Sequence, residues 1–407
     1  MVNLAAAWKS CVIYSLPEGG FSWDFLPLII NYMPYIVTPI PNASINDINN
    51  AINNTGQPDG LMTGSQNNAA ILATSAGQVT PLPFPAPNTL PASWGPGYNG
   101  PTMKSTQGNA INLNGDIAAS ATLVLPGEPG NGALRAYLIY AVAEFGAFGQ
   151  RKFVDLHSLL TNNGYTWSNA MDVTDRDSQG VFSIVGVGDQ GPWLITFTAG
   201  ALTPTVSCLC QAPWNVPALN SGVNPLYPPS IRINNSGNMA LTWNNDFFFG
   251  DLNLRKTFFP QQFLKEILPE NVDFGLVQSF NNNRVLLLQG IGMFSPTSPS
   301  SNNWMNSGYK FKVVGITLGT TQYKRFMNNN PDVLVGPGFD TPLHFLQSDG
   351  TKVSLTTYFT TPSTTPVYPT NATPVAINDN RQIVCLVQAS TTATGVPVYN
   401  SVLLTPQ

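Results

Sequence analysis

The sequence predicts a mainly β fold, a sandwich carrying long polar loops, and three observations lead there. First, charged residues make up only 9 % of the 407 positions, against roughly 25 % in an ordinary soluble domain. Lys and Glu, the usual material of exposed helix faces, are therefore scarce. Second, 35 Gly and 35 Pro demand frequent turns and irregular connections. Third, the stretch Gly180–Gly200, GVFSIVGVGDQGPWLITFTAG, sets two β-branched and aromatic runs around a Gly-Asp-Gln-Gly-Pro turn. Val181–Val187 and Trp193–Thr198 read as an antiparallel hairpin at the middle of the sandwich.

Residues 1–115 differ in character from the rest of the chain and read as an extended Pro- and Asn-rich N-terminal arm. Within them, Asn42–Thr55 places Ile45, Ile48 and Ile52 at helical spacing behind a Ser44 cap, which predicts a short amphipathic helix. From Gly56 to Gly115 the chain is Gly, Pro, Asn, Ser and Thr with small apolar residues, too poor to form a core alone. An arm docked on another surface through Phe84, Trp94 and Tyr98 and a plain linker both fit.

Strand signals begin at Asp116, and residues 116–294 are assigned to the sandwich. Ala118–Leu125 is a strand, Gly127–Gly132 a turn, and Ala133–Phe145 a long strand or a helix. Val154–Leu160 reads as a helical turn. After the central hairpin come strands at Pro204–Ala212, Ser230–Ile233, Met239–Asn244 and Phe247–Leu254, with Asn-rich turns between them. Pro260–Leu268 is a helix, with Pro at its start and Pro269 after its end. Val272–Phe280 and Arg284–Phe294 form a further hairpin. Ser295–Asn303 reads as a linker. Residues 295–407 are then a second β-rich region, completing the same sandwich or projecting from it, with strands at Tyr309–Leu318, Val353–Thr361, Arg381–Ala389 and Pro397–Leu404. No internal repeat of fixed period stands out.

The net charge is −4 and the pI about 5.1. No Lys/Arg run exists of the kind that nucleic-acid neutralisation needs, so no nucleic-acid-binding arm is expected. So little surface charge is unusual for a freely diffusing protein and points to a subunit buried against neighbours; a secreted or gut-exposed protein with polar loops is the other reading. The N-terminus does not read as a signal peptide, and no apolar run is long enough to cross a bilayer.

Candidate chemistry is sparse. Asp172, Asp175 and Asp177 form the one acidic cluster and are the candidate ligands of a structural calcium ion, although their spacing is not that of an EF-hand and Arg176 sits among them. A solvated turn explains them as well. The two histidines, His157 and His344, lack the setting of a nucleophilic centre. Cys208-x-Cys210 has no further zinc ligands, and with Cys11 and Cys385 it reads as buried thiols. Glu128, Glu144, Glu266 and Glu270 are available for a glycosidase pair, but nothing brings two together. Trp193, Trp214, Trp243 and Trp304 suit a sugar-stacking platform or simple core packing. Sequons occur at Asn42, Asn53, Asn234 and Asn371. No dinucleotide, phosphate-loop or metalloprotease signature is present, so no catalytic residue and no cofactor is assigned, and the chain is not expected to be an enzyme.

The Pro- and Asn-rich arm (1–115), the strands with long loops such as Trp214–Pro229, the inserted helix Pro260–Leu268 and the final SVLLTPQ together resemble coat proteins of small icosahedral, picorna-like RNA viruses, insect viruses among them. The resemblance implies an eight-stranded jelly roll with a second β-rich domain or projection, and cleavage from a polyprotein after Gln407. It implies a self-assembling capsid subunit whose partners are copies of itself or sister coat proteins, assembled in the host cytoplasm, located in the virion and attaching to a host receptor. The alternative is a phage tail, baseplate or adhesin-type carbohydrate-binding β protein; a secreted β-sandwich hydrolase is third.

Overall fold

The computed structural model describes residues 35–85, 102–124, 133–142, 150–198, 203–217, 229–243, 246–258, 277–288, 292–301, 308–312, 326–336, 343–355, 372–391 and 397–407, with residues 94 and 305 and two short strands, β1 (Tyr14–Ser15) and β2 (Phe21–Ser22). Beyond β1 and β2, every sheet is an antiparallel meander of sequence neighbours, save for one strand of the last blade.

Blade 1 is β4 (Ala43–Ile48), β5 (Met62–Gln66), β6 (Ala69–Ala73) and β7 (Val79–Pro81). Blade 2 is β8 (Thr102–Ile111), β9 (Ile117–Val124), β10 (Ala133–Ala141) and β11 (Arg151–Asp155). Blade 3 is β12 (Ser168–Val173), β13 (Phe182–Gly188), β14 (Gly191–Thr198) and β15 (Thr203–Cys208). Blade 4 is β16 (Ser230–Ile233), β17 (Asn238–Trp243), β18 (Asp246–Asp251) and β19 (Lys256–Phe258). Blade 5 is β20 (Val277–Phe280), β21 (Leu286–Leu288), β22 (Gly292–Pro296) and β23 (Tyr309–Lys312). Blade 6 has β24 (Val333–Val335), β25 (His344–Leu346) and β26 (Lys352–Ser354), and its inner edge is the Met327–Val333 bridge. Blade 7 is β27 (Thr373–Ile377), β28 (Ile383–Thr391) and β29 (Pro397–Pro406).

The fourth strand of blade 7 comes from the other end of the chain: β3 (Tyr35–Ile40) pairs antiparallel with β29, Tyr35 opposite Pro406 and Ile40 opposite Ser401. At five joints the first strand of one blade packs on the first strand of the next, β4 on β8, β8 on β12, β12 on β16, β16 on β20, and β27 back on β4, while blade 6 meets blade 7 through β24 on β27. Seven meanders, ring-closed by one displaced strand, make a seven-bladed β-propeller.

This corrects the jelly-roll reading. A jelly roll needs Greek-key crossovers, whereas among the described residues the only non-sequential pairing is the β29–β3 closure. The physical reason lies in burial. A sandwich strand alternates between core and solvent, but all seven residues of β13 are buried. Blades are covered on both faces, and the core is correspondingly divided into clusters between blades. On β10, Tyr137 and Ile139 face blade 1, while Ala136, Leu138 and Tyr140 face blade 3. The continuous apolar runs of the sequence follow from that double burial. Gly186 is required by it: a Cβ there would fall 2.1 Å from the Asn169 carbonyl oxygen and 2.2 Å from the Trp193 ring.

The helix expected over Asn42–Thr55 is a strand, β4, followed by a hairpin carrying the Ile52–Pro58 bridge. A β-bulge between Ile45 and Asp47 breaks the two-residue alternation. Ile45 and Ile48, three apart, therefore face the same core, and the spacing imitates a helix. Ala133–Phe145 resolves to strand β10, and Val154–Leu160 to α1 (Leu156–Thr161), capped by the Asp155 carboxylate on the Ser158 amide. The central turn closes tighter than expected, with Gly188 paired to Gly191. The helix expected at Pro260–Leu268 lies outside the described residues.

Candidate functional site

Every inner strand ends in the same way. An apolar residue is followed by a capping residue and then, in six blades of seven, by Asn or Asp. The caps are Asn49, Asn112, Thr174, Asn234, Asn281, Asn328 and Asn378. Each uses its side-chain oxygen to accept the backbone N–H that opens the next strand: Leu61, Asp116, Ser183, Asn238, Val285, Asp332 and Gln382, all at 2.8–2.9 Å. This side-chain mimicry of a turn is what Asn and Thr do well. It fixes seven side chains around the axis.

The amide nitrogens of those caps point to the next blade. Asn49 Nδ2 donates to the Asn112 carbonyl (2.9 Å) and Asn112 to that of Thr174 (2.8 Å). Asn234 donates to Asn281 (3.0 Å), Asn281 to Asn328 (3.1 Å) and Asn328 to Asn378 (3.1 Å). Asn378 returns to Asn49 at 2.8 Å. One link is missing, because Thr174 has no amide to offer Asn234.

A second ring lies one residue further on, at Asn50, Leu113, Asp175, Asn235, Asn282, Asn329 and Asp379. Here each backbone N–H donates to the next blade's side-chain Oδ1. Leu113 donates to Asp175 (2.6 Å), Asp175 to Asn235 (2.9 Å) and Asn235 to Asn282 (2.9 Å). Asn282 donates to Asn329 (2.8 Å), Asn329 to Asp379 (2.7 Å) and Asp379 to Asn50 (2.7 Å). The ring breaks between Asn50 and Leu113, whose side chain accepts nothing and is 49 % exposed.

Together the rings line a funnel that opens to solvent. Its floor is apolar, with Ile111, Val173, Ile233, Phe280, Met327 and Ile377. Its wall is amides and two carboxylates, and no Lys, Arg or His is among its described lining residues. Asp379 is well supplied with donors: besides the Asn329 N–H, its Oδ2 accepts the side-chain amides of Asn50 and Asn329, both at 2.8 Å. The nearby cations are turned sideways into neighbouring blades. Arg176 binds the buried Asp116 and lies 4.2 Å over the Tyr140 ring, and Arg381 binds the buried Asp332 at 2.9 Å. Arg284 Nε donates to Asn238 Oδ1 at 2.8 Å.

The three candidate calcium ligands do not converge. Asp172 is buried in β12 and accepts the Ile233 N–H at 3.1 Å; Asp175 sits in the funnel wall; Asp177 closes its own turn on the Gln179 and Val181 amides. Among the described residues no three His, Cys, Asp or Glu side chains are grouped to hold a metal ion. His157 is buried with Nδ1 2.8 Å from Ser168 Oγ, and burial, reinforced by the Arg135 charge, pushes its pKa down to about 3. His344 is buried in β25. Trp193, Trp214 and Trp243 are core residues, while Trp304 and the four candidate glutamates lie outside the described residues. Of the sequons, Asn42 and Asn53 are exposed and Asn234 is buried in the inner ring; Asn371 lies outside the described residues.

No family model matches the chain, and no curated protein matches it. Among solved structures it is similar to virginiamycin B lyase from Staphylococcus aureus, at 11 % identity and a TM-score of 0.44, over 92 % of this chain and 100 % of that one. It is similar to the Dos1 propeller at 10 % identity and a TM-score of 0.39, over 89 % of this chain and 78 % of that one. PorZ, a surface component of the type-IX secretion system of Porphyromonas gingivalis, matches at 14 % identity and a TM-score of 0.38, over 83 % of this chain and 48 % of PorZ. The strand pairings themselves establish the propeller. The resemblance to coat proteins implied a jelly roll; the seven-bladed propeller contradicts it, and the capsid reading with its icosahedral shell is withdrawn.

Proposed function

We propose that the chain is an adhesin-type binding protein that takes a neutral carbohydrate in the funnel, and that it acts by binding rather than catalysis. The observation that carries this is the composition of the funnel wall. Each sugar hydroxyl both donates and accepts, which suits side-chain amides interleaved with carboxylates. An anionic ligand would meet Asp175 and Asp379 with no cation among the described wall residues to receive it. A cation gains little from Asp379, whose oxygens already accept three N–H groups.

The break in the outer ring supplies the remaining chemistry. Leu113 offers an apolar contact for the C–H face of a pyranose. On the far side of the ring, Asn282 uses its N–H and its Oδ1 within the ring, which leaves its Nδ2 to donate to ligand.

The test is calorimetry of the intact chain against a panel of neutral mono- and disaccharides. Binding that falls about tenfold in Asn282→Asp, which keeps the Oδ1 acceptor and removes the donor, is the expected result. No binding by any neutral sugar at millimolar concentration, or binding indifferent to Asn282→Asp and to Leu113→Asn, overturns the proposal.

A further inference from the structure

The side wall of the propeller carries a groove between blades 3 and 4 that the funnel does not use. Blade 3 supplies one side of it. Thr205 and Ser207 lie two apart on β15 and so share a face, and they stand opposite Thr196 and Leu194 on β14. Their alternate neighbours Ile195, Val206 and Cys208 pack the other way, into the core between blades 2 and 3. On the groove side Leu194 packs with Trp214 and Leu252. The Thr205 and Ser207 hydroxyls are committed to no hydrogen bond among the described residues.

Blade 4 supplies the other side, Leu252 and Arg255, from the turn that joins β18 to β19. The buried Asp251 carboxylate fixes that turn by accepting the Asn253 and Leu254 N–H groups at 3.0 and 3.1 Å. Arg255 sits there in the left-handed region, φ 48°, where a side chain is strained. In the matching turns of blades 1 and 6 the left-handed residue is a glycine, Gly77 and Gly350. Arg255 differs from the other six arginines among the described residues in a second way. Arg135, Arg151, Arg176, Arg232, Arg284 and Arg381 all bond to protein groups. The Arg255 guanidinium, exposed at the groove, has no such partner among the described residues. No Asp or Glu is among the described lining residues to neutralise it.

We propose that this groove is a second binding site, for a small organic acid with an apolar body. The Arg255 fork receives the carboxylate, a geometry that guanidinium and carboxylate match in two parallel hydrogen bonds. The Thr205 and Ser207 hydroxyls are free to donate to the same group. Leu194 and Leu252, facing each other across the joint, take the apolar body. The site is chemically the converse of the funnel, whose described wall has carboxylates and no cation. It stands independently of what the funnel binds.

The experiment titrates the intact chain at neutral pH with hexanoate, with hexanol as its uncharged counterpart and with acetate as the acid lacking a body, read by calorimetry and ligand-observed NMR. Hexanoate is expected to bind about tenfold more tightly than either control. Arg255→Gly removes the guanidinium and places in the turn the residue that blades 1 and 6 already use, so the fold is expected to hold, with a urea midpoint at or above that of the wild type. Its affinity for hexanoate is expected to fall about tenfold, the loss of a charged hydrogen-bond partner. Thr205→Val with Ser207→Ala keeps the shape of the wall, removes its hydroxyls and is expected to weaken hexanoate about fivefold. A wild-type chain that ignores hexanoate at millimolar concentration overturns the proposal. So does one that binds hexanol equally well, or a folded Arg255→Gly chain that binds hexanoate undiminished.

Discussion

The side-chain amide of Asn378 donates to the backbone carbonyl of Asn49 at 2.8 Å, joining residues 329 positions apart in the chain. The same side chain accepts the Gln382 N–H at 2.9 Å. The bond completes the inner ring at the joint between the last blade and the first, beside the β29–β3 pairing. Asn378→Asp keeps the acceptor and deletes the donor, leaving the buried Asn49 carbonyl short of one partner. A loss of about 1–3 kcal/mol is expected, read as a lower urea midpoint with an unchanged slope.

Both rings have one gap, and each gap is correctable. Thr174→Asn retains a side-chain oxygen for the Ser183 N–H and supplies the missing amide for the Asn234 carbonyl. Leu113→Asn supplies an acceptor for Asn50. Each change is expected to raise stability by about 0.5–1.5 kcal/mol, measured by thermal or urea unfolding. Leu113→Asn is expected at the same time to weaken sugar binding, because it removes the apolar contact at the mouth.

Asp116 and Asp332 have fully buried side chains, each held by an arginine from the next blade, Arg176 and Arg381. Removing one partner leaves a buried charge uncompensated. Arg176→Met is expected to destabilise the chain by about 3–5 kcal/mol. The double variant Arg176→Met with Asp116→Asn is expected to recover part of this, and a double-mutant cycle on urea midpoints reads the coupling.

His157 gives stability a pH dependence. Its folded value, about 3, lies below the ordinary 6.5. As pH falls through 6.5 the unfolded chain takes up this proton and the folded chain does not. The contribution is therefore complete above about pH 6.5 and is lost as pH falls from there towards 3, at up to about 1.4 kcal/mol per pH unit. His157→Gln is expected to flatten that part of the curve, seen by comparing urea midpoints at pH 7 and pH 5.

Much of the strand content was legible because β-branched runs and turn residues report local geometry. The Val181–Val187 run, the Ser230–Ile233 strand and the Pro397–Leu404 strand all lie in strands of the blades. The circular arrangement was not legible from strand patterns, since double burial and sandwich burial both give apolar runs. A signal did exist in the apolar-Asn pairs Ile48-Asn49, Ile111-Asn112, Ile233-Asn234, Phe280-Asn281, Met327-Asn328 and Ile377-Asn378. Their spacing along the chain runs from 63 residues between Asn49 and Asn112 to 47 between Asn234 and Asn281. A search for one fixed period misses it, because insertions such as residues 50–60 stretch the early blades. In blade 3 the pattern is further hidden, with Thr174 standing in for Asn.

The same chemistry explains why so little formal charge is present. The inner ring of the funnel is knit by neutral Asn amides, each committing its donor and acceptor to a neighbour. Asp175 could be read from sequence only as part of an acidic cluster; the register of blade 3 against blades 2 and 4 separates it from Asp172 and Asp177.

Every cap amide in the inner ring points in one rotational sense, so each joint except that between Thr174 and Asn234 offers an incoming donor on one side and a waiting carbonyl on the other. A duplicated blade carrying its own Asn would slot into any joint, and an excised one would leave matching groups to reconnect. Gain or loss of a whole repeat would thus leave the hydrogen bonding at the axis matched.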